Sequence, residues 1–184
     1  MMIVLLIALV GPLIAPHSPT AIVGPPYRGV SGSLPIGTDY LGHDVLSRVL
    51  WGGRSLLWMS FAATLLGFLL GVSAGLVAGY SRGVGDNLVM RPMDVVQSLP
   101  QLVLVLVFVA LLGPKLWLIT LLVALAWAPQ IARMTRGLTK ETIEKEYVQA
   151  AEAIGISRRD ILRKEVLPNI STPLTVEFAV RLTW

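Results

Sequence analysis

From Ser55 to Ser81 the chain carries no charged side chain, and the same holds from Val95 to Pro114 and from Leu116 to Ala132. About 20 apolar residues in a helix cross a hydrocarbon core of roughly 30 Å. The first two runs reach that length alone. The third reaches it when the helix continues past Arg133, whose long side chain can snorkel to the interface. A further apolar run, Met1 to Ala15, is shorter, about 22 Å at 1.5 Å per residue. It has the length of a signal-peptide core but lacks a basic leader and an A-x-A site. It is therefore read as a first span whose start lies upstream. Of the whole chain, 54% of residues are hydrophobic and 14% charged, against about a quarter charged in soluble domains. The expected fold is all-α, a polytopic transmembrane helix bundle.

The segments between the runs set its orientation. Residues 16–54 begin rich in Pro, Gly and Ser, a turn-prone composition. They then turn amphipathic, with Leu41, Val45, Leu46, Val49 and Leu50 at helical spacing. This predicts a short helix on the membrane surface leading into the second span. Positive residues favour the cytoplasmic side. If the first span runs outward, Arg28, Arg48, Arg54 and Lys115 lie outside. Arg82, Arg91, Arg133, Arg136, Lys140, Lys145, Arg158, Arg159, Arg163 and Lys164 lie inside. Acidic residues are interleaved with the inner cluster, which argues against a nucleic-acid surface. The expected organisation is a first span over 1–15, an extracytoplasmic loop over 16–54 and a transmembrane core over 55–184. Its spans fall at about 55–81, 87–113, 116–135 and 169–184. The last is expected to be incomplete, because the helix begun there has not finished at Trp184.

Within the spans, Gly67, Gly71, Gly75 and Gly79 recur every four residues, a small-residue ladder for close helix packing. Asp94, Gln97 and Gln101 flank Pro100, which breaks helical hydrogen bonding. At i, i+3 and i+7 they are expected on one face. Asp94 is read as interfacial. Gln97 and Gln101 either face a cavity, and so a translocation path with Pro100, or bond a neighbouring helix.

Chemistry in this chain has little to work with. Cysteine is absent and the only histidines, His17 and His43, lie outside the spans, so no metal site and no catalytic residue is expected. The string Gly83-Val84-Gly85-Asp86 resembles an intramembrane aspartyl protease motif, but a second carboxylate in a matching motif is missing. No G-x-S-x-G and no phosphate-binding P-loop occurs.

The cytoplasmic loop 137–168 carries the sharpest pattern. Thr139 or Thr142 can cap a helix running to about Ile154. Ala150, Ala151 and Ile154 are expected on one face, where small side chains let a partner approach. Gly155 suits the left-handed end of that helix. Ser157 with Asp160 suits the start of another, and Pro168 marks its end or the entry to the next span. A rigid helix–turn–helix knob presented to the cytosol is expected.

This loop resembles the EAA motif of ABC-importer permeases, E-A-A-x3-G-x9-I-x-L-P. Gln149-Ala150-Ala151 stands for E-A-A, followed by Gly155 and by Leu167-Pro168; Gln149 and Glu165 depart from the pattern. The segment Gly37, Thr38, Asp39, Gly42, Asp44, Ser47, Arg48 also resembles the G-T-D-x-x-G-x-D-x-x-S-R stretch of the dipeptide/oligopeptide/nickel permeases, and Arg133 to Gly137 fits the inner end of a span there. The resemblance is to the second, C-type permease of such a pair. It implies six spans, of which four and the start of a fifth lie here.

It further implies a non-enzymatic subunit in the cytoplasmic (inner) membrane that forms half of a pathway for peptides, or nickel. The partners implied are a second permease, two ABC ATPases and an extracytoplasmic binding protein. ATP and Mg would sit on the ATPases, with no cofactor in this chain. Coupling would run through Tyr147, Gln149, Ala150, Ala151, Ile154, Gly155, Leu167 and Pro168. A secondary transporter, needing no ATPase, and a structural membrane protein are the alternatives.

Overall fold

A computed structural model describes residues 2–81 and 83–183, with side chains from residue 6 onward. Arg82, counted above among the inner charges, lies outside the described residues, as do Met1 and Trp184 at the ends of the first and last expected spans. The described residues form helices α1 (Met2–Ile14), α2 (Val45–Tyr80), α3 (Val84–Ser98), α4 (Gln101–Leu112), α5 (Leu116–Ile143), α6 (Glu146–Ala153), α7 (Arg158–Ile161) and α8 (Leu167–Leu182), with a π-helical turn, Leu162–Val166, joining the last two. They contain isolated β-bridges and no longer strand. The chain divides into two compact units, up to Met59 and from Ser60 onward.

In the first unit, α1 meets the start of α2 through small residues. A Cβ on Gly53 would lie 2.9 Å from the Ala8 Cα, and one on Gly11 2.6 Å from the Leu50 carbonyl oxygen. The expected surface helix is not a separate element. Helix starts at Val45 and runs unbroken for 36 residues, and Leu41 stays in the loop. The cause is Asp44, whose carboxylate accepts from the backbone N–H of Leu46 (3.2 Å) and Ser47 (3.3 Å) and so fixes the helix start. After it, the sequence offers no breaker until Tyr80.

The loop before that cap is built by the residues of the G-T-D pattern. Thr38 Oγ1 accepts from Arg28 N–H (2.8 Å) and donates to the Pro25 carbonyl (2.7 Å). Asp39 accepts from the backbone N–H of Leu41 (2.8 Å) and His43 (2.9 Å) and from the Arg48 guanidinium. Ser47 Oγ donates to Asp44 (2.6 Å) and accepts from His17 N–H (3.0 Å). Gly37 and Gly42, at φ 82° and 83°, press against the carbonyls of Arg28 and Gly24, where a side chain has no room. Burial pushes the Asp39 carboxyl up, but the His43 and Leu41 amides and Arg48 outweigh it and hold the group well below the usual carboxylate range.

In the second unit α5 is the hub. The glycine ladder of α2 lies on it in register. Cβ atoms built on the ladder would lie 3.1 Å from Ala124 O at Gly67 and 2.7 Å from Ile131 Cβ at Gly71. At Gly75 and Gly79 they would lie 2.5 Å from Thr135 Cβ and Thr139 Cβ. Asp86, at the start of α3, accepts from Arg136 Nε (2.6 Å) and Nη2 (2.5 Å) and from Lys140 Nζ (2.7 Å). That clamp gives the Asp of the protease-like string a structural partner 50 residues away.

The expected third span is divided into α3 and α4, which meet at a bend of 78°. Leu99 and Pro100 are both extended, with ψ 129°, as the pre-proline restriction favours. Asp94 and Gln97 therefore end up on α3 and Gln101 on α4, so the three do not share a helix face. Asp94 pairs instead with Arg133 on α5 at 2.7 Å. Among the described residues two helices, α2 and α5, are long and apolar enough to cross a membrane, and the bent α3–α4 pair makes a third if it is one span.

Candidate functional site: a helical knob and a polar cavity

The EAA-like stretch folds as a short helix and a tight turn, but begins later than its threonines suggest. Helix α5 continues to Ile143, with Thr139 and Thr142 buried inside it. The Thr142 hydroxyl donates back to the Leu138 carbonyl (2.8 Å), so neither residue caps α6. Lys145 occupies the N-cap. At the far end, Gly155 N–H bonds the Glu152 carbonyl (3.0 Å) and Ile156 N–H bonds the Ala151 carbonyl (3.1 Å). With Gly155 at φ 83°, this is a Schellman turn, which places glycine just past the helix end. Ser157 then accepts from Asp160 N–H (3.2 Å) and donates to its carboxylate (2.7 Å). Those bonds, with Lys164 nearby, lower the Asp160 pKa.

Helix α6 has two faces, and the small residues are divided between them. Val148 and Ala151 point inward, Ala151 with 7% exposure, into a core with Phe68, Ile131, Ile161, Val166, Ile170 and Leu174. Tyr147, Ala150 and Ile154 point outward, and Ile154 is 78% exposed. Ala150, Ala151 and Ile154 therefore do not share a face: at 100° per residue only i, i+3, i+4 and i+7 positions can. Gln149 donates to the Glu144 carbonyl (3.1 Å), tying α6 to the end of α5. The Tyr80 hydroxyl donates to the Glu152 carboxylate, and Arg158 lies over the Tyr80 ring, 5.8 Å from its centroid. These side chains line a cleft of about 1170 Å³ together with Lys140 and Glu144.

Of the two expected places for Pro168, the structure shows the second: it stands in the first turn of α8 and does not end the helix begun at Arg158. A proline ring clashes with the carbonyl four residues back. Here the helix widens into the π turn, with Leu167 N–H bonding the Leu162 carbonyl, and α7, the turn and α8 form one continuous rod. Leu167 packs against the core and Pro168 is exposed.

The family described as "Binding-protein-dependent transport system inner membrane component" matches residues 67–184, more than half of the chain. The chain belongs to that family. The binding-protein-dependent inner membrane component so defined covers both the glycine ladder and the knob. Relatives include the dipeptide transport system permease protein DppC of Haemophilus influenzae, 33% identical over 99% of this chain and 64% of the relative. The di/tripeptide transport system permease protein DppC of Pseudomonas aeruginosa is 32% identical over 96% and 61%. The glutathione transport system permease protein GsiD of Pectobacterium atrosepticum is 32% identical over 84% and 52%. The chain thus spans between about half and just under two thirds of these relatives.

A second polar group of this inner membrane component lies between α5 and α8. Arg181 on α8 donates to Glu177 (2.8 Å) and to the Gln130 side-chain oxygen on α5 (2.8 Å). Its guanidinium also lies over the Trp127 ring at 5.6 Å. Gln101, at the start of α4, joins Trp127, Glu177, Val180 and Arg181 around a cavity of about 440 Å³. Gln97 and Pro100 are exposed and are not among these lining residues. Glu177 and Arg181 stand at i, i+4, a spacing that lets them pair on one helix face; their meeting with Gln130 and Trp127, which no spacing along the chain encodes, depends on how α8 crosses α5.

Proposed function

We propose that this chain is a permease subunit of an ATP-binding-cassette importer and contributes half of a pathway carrying small peptides across the inner membrane, with nickel as the alternative cargo. The two-sided helix α6 carries the reading. Its inner face is anchored in the bundle core, while Tyr147, Ala150 and Ile154 offer a compact outward face of the size and polarity that fits a groove. The occupant proposed for that role is an ATPase subunit, one of two. A second permease and an extracytoplasmic substrate-binding protein complete the assembly, and ATP and Mg sit on the ATPases. The substrate class follows the relatives, which are named for dipeptide, tripeptide and glutathione transport. Closure of the ATPases would push the knob and rock the helices anchored to it, giving alternating access.

The test is affinity purification of the full-length protein from detergent-solubilised membranes, with Ile154→Asp and Ala150→Trp beside the wild type. A P-loop ATPase and a second permease should co-purify with the wild type. Both variants should insert and keep the second permease while losing the ATPase. Absence of any ATPase from the wild type would refute the importer reading and favour a secondary transporter. Normal retention by both variants would refute the docking face.

A further inference from the structure

The charges on α8 sit where charge is costly. Glu177 and Arg181 are the only ionisable residues of that helix. Their partner Gln130 stands in the uncharged run Leu116 to Ala132 of α5, a helix long and apolar enough to cross a membrane. A membrane-located ion pair whose role is packing alone is readily replaced by apolar side chains of similar size. This one is not sealed into packing. It borders the 440 Å³ cavity, with side chains 26% and 16% exposed.

The lining combines one anion, one cation, an amide from Gln101 and the face of Trp127. The guanidinium is held by Glu177 through Nε and by Gln130 through one Nη. A planar fork of five N–H donors leaves others for a carboxylate. The volume lies within the range of small-molecule sites.

We infer that Glu177 and Arg181, with Gln101 and Trp127, form a transit site for a zwitterionic solute, a short peptide with free amino and carboxyl termini. The inference rests on the importer reading above and names the permease groups that handle its cargo. With the cavity empty, the two charges neutralise each other. When solute arrives they part, the guanidinium taking the carboxylate and Glu177 taking the ammonium, while the amide of Gln101 meets the peptide backbone. Because the internal pair re-forms as the solute leaves, the site holds its ligand weakly, as a conducting path requires.

The test uses the full-length permease with its partner permease, ATPases and binding protein, reconstituted in liposomes. Uptake of labelled dialanine and ATP hydrolysis stimulated by loaded binding protein are measured together. The decisive variant is Glu177→Leu with Arg181→Met, which removes both charges and leaves neither unpaired. Peptide moved per ATP hydrolysed should fall at least tenfold while complex assembly and stimulated hydrolysis persist. Arg181→Lys, keeping the charge, should recover part of the uptake. Unchanged uptake in the double variant would overturn the inference, because a purely structural pair tolerates that replacement. Loss of the second permease from the complex would also overturn it, by placing the pair at a subunit interface. A wild-type complex that neither hydrolyses ATP in response to loaded binding protein nor takes up peptide would instead refute the importer reading beneath it.

Discussion

Replacing Gly75 by alanine tests the α2–α5 packing at the scale of one methyl group. The added Cβ would lie 2.5 Å from the Thr135 Cβ and 2.6 Å from the Ala132 carbonyl oxygen, where ordinary contact begins at 3.4 Å. The shortfall is 0.9 Å (3.4 minus 2.5). Both obstacles are fixed by the backbone of α5, so no rotamer change relieves them and the helices must separate. Overpacking of this kind costs about 1–3 kcal/mol, offset by roughly 0.5–1 kcal/mol from replacing glycine in a helix. The expected net effect is a loss of up to about 2.5 kcal/mol. Gly67→Ala, with its nearest atom at 3.1 Å, should cost less. Gly137→Ala, with nothing within 4 Å, should be neutral or stabilising. Thermal unfolding of the full-length protein in detergent measures all three. If Gly75→Ala proves as stable as Gly137→Ala, the two helices do not approach as described.

Gly155→Ala meets no atom within 4 Å, yet it forces a Cβ onto φ 83°, a conformation costing about 1–2 kcal/mol outside glycine. Faster proteolysis of the 144–160 segment than in Gly155→Asn would register it. Ala151→Trp should lower expression and melting temperature, because Ala151 is walled in by the core; a well-folded variant at normal yield would contradict that burial. The depressed pKa of Asp39 means the folded loop binds its proton less readily than the unfolded chain. Its contribution is complete above the ordinary carboxylate value, near 4, and disappears as pH falls through the lower folded value. Amide exchange at Leu41 and His43, corrected for intrinsic rate, should accelerate only at pH below about 4, and Asp39→Asn should abolish that dependence.

The long apolar helices α2 and α5 were legible because an uncharged run of that length has few other ways to satisfy its backbone. The Gly155 turn and the Ser157 cap were legible because each is decided within a few residues. The inward face of α6 was not, since Val148–Ala151 and Ala150–Ile154 are both plausible helical stripes. Only the position of Ile161 and Val166 selects between them. Asp86 with Arg136, and Arg181 with Gln130, join residues 50 and 51 positions apart. Such pairs depend on helix crossings that charge spacing along the chain does not encode. Proline was ambiguous in a further way: Pro100 breaks a helix and Pro168 does not, because a π turn ahead of Pro168 relieves the clash.

That π turn has a mechanical consequence. From Arg158 to Arg181 the backbone is one stiff lever, about 35 Å long at 1.5 Å per residue, with its short end beside Gly155 and its long end at the cavity. A tilt of about 10° about the short end would sweep Arg181 through about 6 Å, more than one helical pitch. A small rotation set at the knob would therefore become a large displacement at the charged lining, and a straightened or shortened π turn would change the gearing by rotating everything beyond it.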